Sequence, residues 1–336
     1  MALRRATSRR LHRDRGADVQ GFIIGVVAQL PPRPAVAIDT RAERLQGLID
    51  DDDWPQEGLA PVLLAAIGRG CPGRGGRDET EKMLILSGAN ATPTATFGTA
   101  GSVVHMCVRV PASDRSLMPG AVRTLVVADL TRRVLEDLHS SQVLLTLLAS
   151  GAGSPVLLGD LDALMIRPLA GVFDSVDAAA AGVGARVGLM VTAAEDESAG
   201  EFALAVGAAA GSEALDDLIQ AGHDPLTLRC VLLSTHYGQQ VPLTMQRIAD
   251  AARLLHRWRQ RVADWSTHIS VQMPTDIIEA ASRAFDRNLE VPAVLDLMRH
   301  VESDAAIAPG AKFETFVHLD RVLAFDLTRY LGSPHS

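Results

Sequence analysis

Lysine is nearly missing from this chain: of 32 Lys and Arg residues, only Lys82 and Lys312 are lysines. A mobile loop that works through two lysines is thereby excluded. We read the arginine bias as genomic base composition and give it little functional weight. Aromatics make up 4% of the residues, so the core must be built mainly from Ala, Val and Leu. The three cysteines, Cys71, Cys107 and Cys230, are odd in number and far apart, which argues against a disulfide framework and for a reducing, cytoplasmic setting. No apolar run approaches the roughly 20 residues of a membrane span. The stretch 21–30 is apolar but only about half that length, and reads as a buried strand. The arginine-rich start reads as a basic tail or, less readily, a targeting segment, and no cleavage site follows it to suggest secretion. The net charge of −8 sets up no global positive field toward nucleic acid. Neither DNA nor a membrane is expected as a partner.

What is there reads as two organised regions behind a poorly determined one. Residues 1–83 hold the basic start, the apolar stretch, a Pro-rich turn and a short helix candidate at 40–49. They also hold a Gly-rich stretch at 68–76 that lacks the Gly-Lys-Ser/Thr ending of a phosphate loop and reads as a solvated linker. Val103, Val104, Met106, Val108 and Val110 predict a strand ended by Pro111. Val126, Leu130, Val134 and Leu138, four apart, predict a helix over 125–138. Strand, loop and helix open a doubly wound nucleotide-binding fold, with further strands expected at 142–148, 156–158 and 187–191. The last third is helical. Met245, Ile248, Ala252, Leu255, Trp258, Val262 and Trp265 form one apolar stripe, with Arg247, Arg253, Arg257, Arg259 and Arg261 mostly off it as a solvated face. Helices over 276–289, from Pro292, and around 313–323 complete an antiparallel bundle.

Residues 223–240 read His-Asp-Pro-Leu-Thr-Leu-Arg-Cys-Val-Leu-Leu-Ser-Thr-His-Tyr-Gly-Gln-Gln. Asp224-Pro225, Leu228-Arg229 and the run from Leu232 to Tyr237 resemble, in order and spacing, a segment of the cysteinyl-tRNA synthetase family, with Gly238 where that family usually has Arg. Leu289-Glu290-Val291-Pro292 is similar to its Leu-Asn-Thr-Pro, and residues 319–327, Leu-Asp-Arg-Val-Leu-Ala-Phe-Asp-Leu, to its closing segment. Arg123, Val126, Val127 and Asp129 resemble its first helix, and residues 160–168 a later segment. The likeness covers roughly residues 84–175 and 185–330. A mycothiol-pathway ligase that joins cysteine to an amino sugar is a cousin in that family and a candidate relative.

The resemblance implies an α/β then all-α chain. It would comprise an extension over 1–83, a truncated class I synthetase Rossmann-like catalytic domain over 84–222, and a junction with an antiparallel helix bundle over 223–336. It also implies a chemistry whose residues are missing. Amino-acid activation needs positive groups around the nucleotide phosphates. The family's His-x-Gly-His falls on Met118-Pro119-Gly120-Ala121, where only the glycine survives, and the lysine count removes the two-lysine loop. The zinc that selects cysteine in that family would have its first ligand where Arg109 stands, so Cys107 reads as a core thiol and no metal is expected. The expected protein is a non-catalytic binding or regulatory relative, with tRNA, a cysteine-derived ligand or another protein as partner and no cofactor. The alternative is a diverged ligase that uses ATP and acts on tRNA or a small amine, with Arg109, Arg115 and Arg123 clustered at the first turn. No catalytic residue is assigned. Arg109, Gly120, Arg123, His236 and Tyr237 are the candidates for lining a cleft, with packing at the domain junction the preferred role for the last two.

Overall fold

In the computed structural model, residues 83–87, 95–110, 117–149, 160–194, 202–211 and 215–332 are described. All belong to one unit, Pro55–Ser336. The expectations for residues 1–82, the strand at 156–158 and Arg115 lie outside the described residues.

Two short strands, β1 (Leu84–Leu86) and β2 (Ala95–Phe97), pair antiparallel. They are separate from the main sheet and meet the helical part instead: Asn288 N–H donates to the Ile85 carbonyl at 2.8 Å. The main sheet is made of β3 (Val103–Arg109), β4 (Gln142–Leu148), β5 (Gly171–Phe173), β6 (Leu189–Ala193) and β7 (Ala203–Val206). All its pairings are parallel, in the order β5-β4-β3-β6-β7. The chain thus moves outward from β3, then returns to lay β6 on its other side. That is the order of a doubly wound sheet, in which the reversal, here between β3 and β6, marks the place at the strands' carboxyl ends where a ligand crevice is expected.

Register explains the two faces. Met106 lies opposite Leu145 and Leu189, and Val108 opposite Leu147 and Val191, so these side chains share the face of the large core. Helix α1 (Pro119–Arg133) covers that face and runs on into a π-helical turn, Val134–Leu138. It begins earlier than the apolar spacing predicts because Pro119 supplies a preset first helical residue. Every residue of α1 except Gly120 and Arg132 is buried, since the sheet lies on one side and the helical part on the other. Cys107, opposite Thr146 and Met190, belongs to the second face. There α2 (Val176–Val183) forms a thin cover, capped by the Ser175 hydroxyl at its start and by left-handed Gly184 at its end. β5 escaped prediction because three residues carry no readable period, and β6 begins two residues later than expected.

Beyond the sheet, β8 (Ala209–Ala210) pairs with β9 (Val241–Pro242). The helices are α3 (Leu215–Gln220), α4 (Pro225–Leu233), α5 (Met245–Trp265), α6 (Thr275–Asp286), α7 (Val291–Ser303) and α8 (Pro309–Leu323). Asp224 caps α4 by accepting from Leu226 N–H, and Thr244 caps α5 by accepting from Arg247 N–H. Of the predicted α5 stripe, Ile248, Leu255, Trp258, Val262 and Trp265 are buried while Met245, at the helix start, is exposed, and Trp258 and Trp265 are both edge-on to Phe316 at 5.6 and 5.1 Å. Complete burial of Trp258 contributes on the order of 2–3 kcal/mol. After α8 the chain turns sharply: Ala324 and Asp326 are left-handed, and Asp320 accepts from Phe325 and Leu327 N–H at 2.7 and 2.8 Å. Among the described residues no helix is long and apolar enough to cross a membrane.

Candidate ligand crevice and the knot beneath it

The crevice is framed by the end of β3 and the start of α1. Pro119 opens that helix, its preceding residue Met118 makes no side-chain cap, and no acidic residue occupies the first turn. A Cβ added at Gly120 would meet nothing within 4 Å, so open space lies beside that one residue of an otherwise buried first turn. Uncapped N–H groups in such a place attract anions. The nearby side chains carry the opposite message. Leu215 N–H donates to the Leu117 carbonyl at 3.1 Å, which brings Asp216 to the entrance of α1. Asp160 is 6% exposed, and its Oδ2 has no hydrogen-bond partner. Burial first, and then the charge of Asp216, push its carboxyl up to about 6. Arg109, at the end of β3, is half-buried and, among the described residues, has no carboxylate partner. Of the described arginines in the sequence-predicted set it is the one not spent in a clamp, and it lies on the Cys107 side of β3, near enough to act on that thiol.

Arg123 does not face the crevice. Its guanidinium is wholly buried and donates to the carbonyls of Gly207 (2.8 Å), Ala208 (3.1 Å), His236 (3.0 Å), Thr235 and Gln239. Burial, and then the neighbouring Arg247, lower its pKa to about 10. Gly207 matters here, because a Cβ would come 2.4 Å from the Gln239 carbonyl oxygen. Arg123 therefore clamps the segment before β8 to the segment before β9, and a phosphate has no access to it.

One turn and a half further along α1, Asp129 is buried with no exposure at all. Its carboxylate accepts from Arg133 (2.7 Å), Arg229 (2.7 Å) and the Arg167 backbone (3.0 Å). Burial opposes its charge, but Arg229 and Arg133 outweigh burial and hold the carboxyl below its usual range. Arg229, equally buried, also donates to Leu323 and Leu164 carbonyls, and Arg133 to Arg321 and Met165 carbonyls. Three segments meet on one carboxylate, and its guanidinium partners tie in a fourth at 321–323. Asp129 and Arg229 were each visible as matched positions, but not as partners. The available signal was a charge inside an otherwise apolar helix face.

His236 and Tyr237 stack at 4.4 Å between centroids. Gly238 N–H donates to His236 Nδ1 (3.2 Å), which leaves the Nε2–H to donate to the Asn288 carbonyl (3.0 Å). Tyr237 donates to Asn288 Oδ1, and Ser87 N–H donates to the same atom. The pair packs the junction between β1, the α4–β9 connection and the turn before α7. Cys107 lies on the other side of the sheet in a closed donor chain. Its thiol donates to Thr146 (2.9 Å), Thr146 to His105 Nε2 (3.0 Å), and His105 Nδ1–H to the Ala185 carbonyl (2.8 Å). Burial, partly offset by Thr146 and Arg109, pushes that thiol up. Zinc of the kind the resemblance associates with the family does not fit these residues. Cys107 is spent on Thr146, and among the described residues no group of three or more His, Cys, Asp or Glu could hold a metal.

No protein-family model matches the chain. A curated relative, the L-cysteine:1D-myo-inositol 2-amino-2-deoxy-alpha-D-glucopyranoside ligase of Xylanimonas cellulosilytica, is 32% identical over 78 residues. The match spans 23% of this chain and 19% of that enzyme. Over that stretch the chain is distantly similar to a cysteine ligase, and it covers only about a fifth of that relative's length. The parallel sheet and the helical C-terminal part are compatible with a Rossmann-like relative of such ligases.

Proposed function

We propose that the chain is a degenerate relative of the cysteinyl-tRNA synthetase family that works as a non-catalytic binding or regulatory protein. One observation carries this reading: the residues that match the family are spent on structure, and the crevice is left acidic. Arg123, Asp129, Arg229, His236, Tyr237 and Asp320 all make buried or junction contacts. Where a nucleotide's phosphates would meet the first helical turn, the side chains are Met118, Pro119 and Ala121, with Asp160 and Asp216 close by. Lys312 offers no help, since it donates to the Glu302 carbonyl and sits over the Trp265 ring. A triphosphate needs positive charge in a dry site to leave as pyrophosphate. ATP–pyrophosphate exchange across the 20 amino acids tests the reading. We expect no exchange above background, and cysteine-dependent exchange overturns it. tRNA, a cysteine-derived ligand or a protein is the partner class this reading allows.

The ligase alternative draws on a specific pair. Arg109 is unpaired among the described residues, and Asp160, with its carboxyl near 6, has the right range to take a proton from an amine nucleophile. ATP-dependent coupling of cysteine to a small amine, lost in Asp160→Asn, is the result that favours it.

A further inference from the structure

Among the described residues, an arginine-lined groove lies away from the sheet crevice. A groove of about 560 Å³ opens between α4, α5 and α7. Its floor is apolar: Val231, Ala251, Leu254 and Leu295, with the neutral thiol of Cys230, which burial pushes up to about 12. Its walls carry Arg247, Arg253, Arg257 and Arg299 against the single carboxylate of Asp250. This concentration occurs in a chain of net charge −8. The sequence alone reads these α5 arginines as a solvated face, but the helix aims them into a concavity. Arg247, Ala251, Leu254 and Arg257 recur at helical spacing on one side of α5, and about 15 Å of axis separates Arg247 from Arg257.

The four guanidiniums are not equally committed. Arg257 is fixed: its fork meets Glu302 at 2.9 and 3.2 Å, and Trp258 Nε1 holds the same carboxylate at 2.9 Å. Arg253 and Arg299 pair with Asp250 and Asp296, three residues away on their own helices and well exposed. Exposed pairs of that kind are weak and are easily exchanged for a better anion. Arg247 has no carboxylate partner among the described residues. Its Nη2 is oriented by the Ser234 (3.0 Å) and Thr235 (3.1 Å) hydroxyls. It also lies close enough to buried Arg123 for the two positive charges to repel, a strain that a bound anion relieves.

We propose that this groove is a binding site for a small phosphate ester, its phosphate held by Arg247 with the exchangeable Arg253 and Arg299, and its uncharged body laid on Val231, Ala251, Leu254 and Leu295. Several converging guanidiniums suit a dianion with many acceptor oxygens better than a single carboxylate. The volume is in the small-molecule range. A polymer would need a track of cations, whereas past the groove α5 offers only one exposed arginine, Arg261, because Arg259 turns inward to Asp224 and to the Phe325 and Asp326 carbonyls. This inference does not depend on the activity proposed above.

Calorimetric titration of the full chain with AMP, inorganic pyrophosphate and adenosine tests it. AMP and pyrophosphate are expected to bind and adenosine is not. The double substitution Arg247→Met with Arg299→Met is expected to weaken AMP about tenfold or more, and Arg283→Met, an exposed arginine on α6 outside the groove, to leave it unchanged. If the double variant does not fold, Arg299→Met and Arg253→Met, both at exposed positions, carry the same comparison. No binding of AMP or pyrophosphate at about 10 mM, unaltered affinity in folded groove variants, or loss of AMP binding in Arg283→Met overturns the proposal. So does an RNA that binds the groove and is not displaced by AMP.

Discussion

The two ends of α1 are built to opposite standards. From Arg123 onward every buried polar side chain makes hydrogen bonds, with only Arg123 Nε left over: Arg123 to five carbonyls, Asp129 to two guanidiniums and a backbone N–H, Thr124 and Thr131 to carbonyls one turn back. Its first turn is uncapped, carries no charge and has open space before Gly120. In a nucleotide-handling fold the first turn is where function sits and the rest of the helix is support. Here the later part of the helix is almost fully satisfied, and the first turn carries neither charge nor cap. On the proposed reading such a difference along one helix is expected, because burial penalises the loss of a polar partner and the loss of a ligand-binding side chain carries no such penalty.

The comparison is most easily broken at Asp129. Asp129→Asn keeps the shape but leaves Arg229 and Arg133 charged, buried and unmatched, and we expect a loss of about 3–5 kcal/mol in urea unfolding. The triple variant Asp129→Leu, Arg229→Met and Arg133→Met should recover much of that loss, because apolar side chains of similar volume leave no buried charge to match. A single-variant loss below about 1 kcal/mol would show that the knot is ornamental. Arg123→Met is expected to cost less, about 1–3 kcal/mol, since it strands carbonyls rather than a charge. Limited proteolysis between 207 and 240 should rise with it.

How far this asymmetry was legible in the sequence differs by type of signal. Periodicity placed β3, β4, α1 and α5, because seven residues of strand or four turns of helix repeat often enough to read. It missed β5, β7 and the β8–β9 pairing, which are two to four residues long and exist only through their neighbours. Motif likeness pointed to Arg123, Asp129 and Arg229, yet it gave no means of telling a cleft arginine from a buried clamp. Arg123 and Arg109 look alike in sequence, and only the carbonyls gathered by Gly207 and the 235–239 segment separate them. Asp160 was legible as part of a matched segment but not as an unpartnered acid, since its burial depends on chain distant from it.

Asp160 sharpens the comparison through pH. Its folded-state pKa, about 6, is above the ordinary carboxyl value of 3.8, so the native state binds the proton more tightly than the unfolded state. Stability from this group is therefore full below about 4 and lost as pH rises through about 6. Asp160→Asn removes the titration. At pH 7.5 the variant should be more stable than the parent by roughly 1–2 kcal/mol, allowing for partial screening by solvent, with the two urea midpoints converging toward pH 4. Parallel curves at all pH values would mean that the acid is solvated and the crevice less closed than its burial indicates.

The smallest expected effect is at Gly120, and it bears most directly on the bare end of the helix. A Cβ there meets nothing and the residue is helical, so Gly120→Ala should stabilise by about 0.4–1 kcal/mol, chiefly by narrowing the unfolded ensemble. A glycine kept so that a nucleotide can approach the backbone would behave otherwise: the methyl group would stand where the phosphate or ribose lies, and binding would fall while stability rose. If Gly120→Ala raises the unfolding midpoint and leaves every ligand affinity of the chain as it was, the first turn has no ligand to lose. Any nucleotide whose affinity drops in that variant while remaining intact in Arg247→Met would place a working site at the start of α1 after all.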